Sequence, residues 1–140
     1  RHWHRDALDK WLSSMAKAGI PEWPYGFKDE PAKRLSGAEI RRLIIGRRMR
    51  AKAIYNLDVD IDLYPDGRLS YANDWAKTKG YWSLEGEKFC YHSPYVFNNR
   101  KYCSYFYRNE TPTKEKPQPF IHISIWDRYY FSLEDIQRDR

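Results

Sequence analysis

Aliphatic side chains are scarce in this 140-residue chain: Leu, Ile and Val together number 21, or 27 with Phe, and valine occurs only twice. With a net charge of +6, that composition lies near the border beyond which chains fail to bury enough apolar surface to fold. Long apolar runs are missing too. The longest stretch without a formal charge, 89–99, contains His92, Ser93 and two asparagines, so no membrane-spanning helix fits there. No signal peptide is visible, and Arg1 in place of an initiator Met is what a processed or trimmed chain would show. The strings G-x-S-x-G, H-E-x-x-H, G-x-x-x-x-G-K-[ST] and G-x-G-x-x-G are all absent, which leaves no motif-based case for catalysis.

Aromatic residues fill the gap. They make up 17% of the chain, and twelve of them are tyrosines. Each buried ring removes about 150–250 Å² from water, so rings can build the core that aliphatics do not. A chain of this length is expected to fold around one core.

The positive charge is local. Eight basic residues in 33–52 (Lys33, Arg34, Arg41, Arg42, Arg47, Arg48, Arg50 and Lys52) face Glu39 alone, while the rest of the chain is close to neutral. Such a segment suits an anionic partner, with Arg41, Arg42, Arg47, Arg48 and Arg50 as the binding residues. An anionic lipid or polymer is the expected form, because no base-reading motif accompanies the arginines and nucleic acid is therefore disfavoured. The competing reading makes them the wet side of an amphipathic helix.

Periodicity supplies the architecture. Trp3, Ala7, Leu8, Trp11, Leu12 and Met15 recur at helical steps, predicting an amphipathic helix over 2–18 that Gly19 and Pro21 end. Residues 20–34 form an irregular connector rich in proline, with Trp23, Tyr25 and Phe27 alternating. Ser36 and Glu39 spell a capping box, so a second helix follows, with Ile40, Leu43 and Ile44 on its buried side. From Tyr55 the period becomes two: Tyr55, Leu57, Val59, Ile61 and Leu63 oppose Asn56, Asp58, Asp60, Asp62 and Tyr64. Pro65-Asp66-Gly67 is a turn into a strand over 68–72, and 73–79 is expected to be a charged loop. Strands are then predicted over 80–84, 88–92, 101–108, 120–126 and 129–131, with Ser132 opening a last short helix. The expected class is α+β: N-terminal helices followed by a six- to seven-stranded antiparallel meander, as a curved sheet or small β-barrel. Two regions are expected, 1–34 as helix and connector and 35–140 as the helix-plus-sheet domain.

Cys90 and Cys103 fall on successive strands. Paired directly across the hairpin, they centre the loop between Val96 and Phe97, inside the loop that composition marks at 94–99. A disulfide is therefore expected, and with it an oxidising compartment, periplasmic or secreted. Zinc is disfavoured, since His92 joins them without a fourth ligand. No metal or other cofactor is expected.

The strings LSGAEIRRLIIG (35–46), YPDGR (64–68) and GYWSLEGEKFCY (80–91), followed by Cys103, resemble a loosely defined group of small secreted bacterial domains of unknown function. Those pair a short helix with a lipocalin-like (calycin-like) curved sheet. The resemblance covers about half the chain, 35–108, and implies a barrel-like sheet and a periplasmic or secreted address, but no activity.

Three binding readings follow. In the leading one the chain is a non-enzymatic binding or assembly module that docks a protein partner through Trp3, Trp11, Met15 and Trp23, residue types that anchor interfaces. In the second it is a small-ligand carrier with a pocket of Trp82, Tyr105, His122 and Trp126 at the barrel mouth. In the third, segment 33–52 binds an anionic polymer. Asp58, Asp60 and Asp62 share a strand face and lack the glycine and glutamate of a calcium loop, so they read as a solvated strand face.

Overall fold

In the computed structural model the described residues are Ala7, Lys10, 27–52, 58–93, 100–124 and 128–136. Eight antiparallel strands close into a barrel in which each strand pairs with its neighbour in sequence and the last returns to the first. They are β1 (Arg47–Lys52), β2 (Asp58–Leu63), β3 (Arg68–Ala72), β4 (Lys77–Glu85), β5 (Lys88–His92), β6 (Tyr102–Arg108), β7 (Phe120–Ile123) and β8 (Arg128–Asp135). Closure removes every free sheet edge, which an open meander of short strands would have had to protect. An eight-stranded antiparallel barrel is compatible with the lipocalin-like sheet that the motifs suggest.

The described helix is short. α1 (Gly37–Leu43) starts at the predicted capping box: the Ser36 hydroxyl accepts from the Glu39 N–H at 3.1 Å and the Glu39 carboxylate accepts from the Ser36 N–H at 3.1 Å. It lies at the end of the barrel where β2, β4 and β6 finish. There Gly46 N–H donates to the Leu63 carbonyl at 2.7 Å, Arg108 reaches Glu39, and Gly37 sits against the β4–β5 turn. A Cβ on Gly37 would stand 2.5 Å from the Gly86 carbonyl oxygen, so only glycine lets the helix come this close. Leu35, Ile40 and Ile44 are fully buried in the same cluster as the inward side chains of the strands, and thus cap that end.

Inside the barrel the alternation predicted from Val59, Ile61 and Leu63 is observed, and all three are buried. Phe106 forms the centre, with ring centroids 5.2 Å from Phe89, 5.5 Å from Phe131 and 5.5 Å from His122. A second, smaller cluster lies outside the barrel wall. Tyr107, Ile121 and Ile123 face outward and are covered by Phe27, Tyr105 and Tyr130. The end of the connector is therefore packed onto β6 and β7.

Several expectations are corrected. The barrel has eight strands, not six or seven, and the chain is mostly β with one described helix. The missed strand is β1, which carries only Met49 and Ala51 as inward apolar groups. Residues 77–79 belong to β4 rather than to a loop, and Ser132–Asp135 continues β8 instead of starting a helix. The helix expected over 2–18 lies outside the described residues apart from Ala7 and Lys10, which are helical.

Candidate functional site

The outer wall of β1 and β2 explains the basic segment and the aspartate triplet together. Register sets Arg48 opposite Asp62, Arg50 opposite Asp60 and Lys52 opposite Asp58. Each pair closes: Arg48 grips Asp62 with two hydrogen bonds of 2.6 and 2.9 Å, Arg50 lies 3.1 Å from Asp60, and Lys52 lies 2.5 Å from Asp58. Glu134 on β8 flanks both arginines, at 4.0 and 3.6 Å. The hydrogen bonds to Asp62 hold the Arg48 guanidinium well above its ordinary pKa, against the opposing effect of its burial. Opposite charges directly across an antiparallel pair support the register as well as neutralising one another. The three aspartates thus face outward as read, but Asp62 is buried by its arginine rather than solvated.

Segment 33–52 consequently does not form one cationic patch. Arg48, Arg50 and Lys52 are held by aspartates. Arg34 is held by Asp29 at 2.5 Å and by Glu87 at 2.6 Å, and Lys33 by Glu110 at 3.2 Å. Arg41, Arg42 and Arg47 remain exposed, with Arg41 5.8 Å above the Trp82 ring. Of the five arginines expected to bind an anion, two are already spent. Removing one partner of the tightest pair should be costly, because it strands a half-buried charge. Asp62→Ala is expected to destabilise the barrel by about 2 kcal/mol, and a second Arg48→Ala change should recover part of that. Urea unfolding of the two single variants and the double variant measures both quantities.

Arg34 anchors the connector. Its guanidinium lies 3.6 Å from the Tyr105 ring centroid, and its backbone bridges to Tyr107. Burial works against the Arg34 charge, but the hydrogen bonds to Asp29 and Glu87 outweigh it, and its pKa is raised. The Tyr107 hydroxyl donates to Asp29; burial, and then that bond, push the phenol up to about 12. This cluster ties the chain preceding α1 to the outside of β6.

Of the four residues expected to form a barrel-mouth pocket, the three that are described do not converge on one site. Trp82 is buried toward the α1 end, where its indole N–H donates to the Tyr64 carbonyl at 2.7 Å. Tyr105 faces outward beneath Arg34, and Trp126 lies outside the described residues. Trp82 and His122 both face inward, Trp82 stacked on Phe89 at 6.5 Å in the core and His122 in the lumen. His122 is 3% exposed and stacks on Tyr129 at 5.0 Å. It borders a cavity of about 40 Å³ lined by Met49, Ile61, Leu69, Tyr71, Phe89, Tyr91 and Tyr129. Its Nδ1 has no hydrogen-bond partner, and burial among apolar rings lowers its pKa to about 4, so it is neutral at pH 7. A cavity of this size holds about one or two waters, well short of the several hundred Å³ of a ligand pocket.

A larger concavity, about 340 Å³, lies on the outer wall between the β1–β2 ion pairs and β4. Asp60, Asp62 and Arg48 line one side and Lys77 and Lys79 the other, with Ser70 and Ala72 as the floor. The groove exists because the two β3 residues facing outward between those charged rows are small. The sequence alone does not reveal it, because charge at 77–79 suggests a loop and the groove needs four strands in register.

Cys90 and Cys103 stand directly opposite and are disulfide-bonded, with Cα atoms 4.0 Å apart. Glu85 approaches the pair, but two sulfurs bonded to each other are not thiolate ligands, and its carboxylate pairs with Lys101 at 2.6 Å. Among the described residues no helix is long and apolar enough to cross a membrane. Trp3, Trp11, Met15 and Trp23, the residues expected to dock a partner, lie outside the described residues. No family model matches the chain, and no curated protein or solved structure matches it either.

Proposed function

We propose that the chain is a non-enzymatic binding or assembly module of the periplasm or the cell exterior, carrying a protein partner on the outside of a rigid barrel. The observation that supports this most is the packing of the lumen among the described residues: a cavity of about 40 Å³ beside His122 leaves little room for a ligand there, which favours recognition on the outer surface. The Arg34–Asp29–Tyr107 cluster adds to it, since it gives the segment preceding α1 a fixed mooring on the barrel wall. The aromatic helix expected over 2–18, with Trp3, Trp11 and Met15, and Trp23 in the connector, is then the docking element. The disulfide, a bond that persists in oxidising compartments, supports that address.

The test is made on the full chain. Trp3→Ala and Trp11→Ala together are expected to abolish capture of the partner that co-purifies with the native chain, while the near-ultraviolet circular dichroism of the barrel is retained. Undiminished capture by that variant overturns the reading.

One observation favours a second reading, that of a small-ligand carrier. His122, whose Nδ1 is unpartnered, lines a cavity and could pair with a hydroxyl, which can donate or accept. The size of the cavity limits the guest to the tip of a ligand or to water. Native mass spectrometry of the purified chain decides: a retained small molecule supports the carrier, and an unloaded mass argues against it.

A further inference from the structure

Lys77 and Lys79 are charges that the outer wall leaves unmatched. Their register partners on β3 are Ala72 and Ser70, which offer no carboxylate. One strand further on, Asp60 and Asp62 stand opposite those same two residues, but Arg50 and Arg48 already hold them. One side of the groove is therefore self-neutralised and the other is cationic. Among the described residues neither lysine has a carboxylate within ion-pair distance, and both are exposed.

The same strand is flanked by aromatic surface. Trp75 is 79% exposed and Tyr81 50%, the two large hydrophobics most open to solvent among the described residues. Trp75 is displayed on a fixed turn: the Asn73 side-chain oxygen accepts from the N–H groups of Trp75 and Ala76 at 2.9 Å each, and Asn73 N–H donates to the Ala76 carbonyl at 3.0 Å. Tyr81 stacks on His92 at 5.4 Å. Two aromatics bracketing two lysines give a strip of anchor-type side chains, with the Trp75 end displayed from a fixed backbone turn.

We propose that the outer face of β4, from Trp75 to Tyr81, docks an extended acidic segment of a partner protein. This deepens the reading of the chain as a protein-binding module by naming a second surface and the chemistry it recognises. Residues two apart in an extended peptide lie about 7 Å apart on one face, the same spacing that separates Lys77 from Lys79 along their strand. Alternate carboxylates can therefore meet both lysines at once. The barrel has no free edge, so the peptide cannot add as a ninth strand and must be read through side chains. The far side of the groove favours peptide over a phosphate-rich surface. With Asp60 and Asp62 already paired, that side offers no net positive charge to a continuous array of phosphates, whereas peptide N–H groups can donate to the carboxylate oxygens.

The test uses the full chain and two blocked octapeptides of the same composition, one alternating Glu and Gly and the other, the block peptide, repeating Glu-Glu-Gly-Gly so that no two Glu stand two residues apart. Binding is followed by the backbone amide resonances of residues 75–81 and the Trp75 indole resonance, which Trp75→Phe assigns. The alternating peptide is expected to shift these signals and to bind at least fivefold more tightly than the block peptide. Lys77→Glu with Lys79→Glu should weaken it at least tenfold, while Lys114→Glu on the distant 109–119 loop should leave it unchanged. Equal binding of the two peptides, or binding that survives the double reversal, overturns the proposal. So does the result that phosphatidylglycerol vesicles or single-stranded DNA, rather than the peptide, depend on Lys77 and Lys79. The Trp3/Trp11 variant separates the two readings: if it loses the partner and the peptide never binds, the strip falls and the module stands.

Discussion

Acidification from pH 7 to pH 4 is expected to remove about 3 kcal/mol of stability from the barrel, and His122 is the cause. In the folded chain its imidazole is enclosed by Phe106, Tyr91 and Tyr129, with no carboxylate among the rings it touches, and burial lowers its pKa to about 4. In the unfolded chain the same group titrates near its ordinary value of 6.5. The unfolded state therefore binds a proton first as pH falls, and every proton it takes favours unfolding. The stability that the neutral imidazole preserves is whole above pH 6.5, declines between 6.5 and about 4, and is gone below that. A gap of 2.5 pKa units corresponds to about 3 kcal/mol. His122→Phe keeps a ring of similar size in the aromatic cup and removes the titration. Its unfolding free energy should stay flat over that window apart from the contribution of surface carboxylates. Urea midpoints at pH 7, 5.5 and 4.5 for both proteins test this. Parallel curves for wild type and variant would show that His122 is not the group responsible.

The legible part of the fold was the part that advertises itself within one strand or one turn. Ser36 and Glu39 announced α1, because a capping box is local chemistry. Val59, Ile61 and Leu63 announced β2, because apolar and acidic residues alternate without interruption. Cys90 and Cys103 could be paired because a hairpin register needs only a loop centre. What escaped depends on neighbours. β1 reads RRMRAK, and on its own nothing separates that from the polar side of a helix; its strand character comes from three aspartates supplied by β2 and from Glu134 on β8. The same residues carried the error about charge. A surplus counted along the chain looked like a patch, whereas in space two of its arginines and a lysine face aspartates one strand away. Tyr105 turns away from the expected pocket for the matching reason. Trp82, Tyr105 and His122 all lie on alternating strands, but which side is inward depends on what covers the other, and Phe27 with Arg34 covers the outside of β6. The groove beside Lys77 and Lys79 could not be read from any one strand, since its walls belong to β1, β2 and β4 and its floor to β3.

Loss of the Cys90–Cys103 bond is expected to cost about 3 kcal/mol, the chain-entropy value for a closed loop of this length. The two residues are already opposite in the ladder, so the cross-link restrains the unfolded chain far more than it reshapes the folded one. Cys90→Ala with Cys103→Ala should therefore leave the β5–β6 register intact and lower the urea midpoint, with a steeper transition because the freed unfolded chain exposes more surface. Cys90 is fully buried and Cys103 exposed, so the two single variants should differ. Cys103→Ala leaves a buried thiol that packs as a small apolar group. Cys90→Ala also opens a small void under the wall and exposes a lone reactive thiol. The Cys90 variant should accordingly be the less stable of the two, and under oxidising conditions it alone should form cross-linked dimers. A double variant as stable as the wild type would mean that the closed barrel holds β5 to β6 without the bond, and it would remove the physical reason for tying this chain to an oxidising compartment.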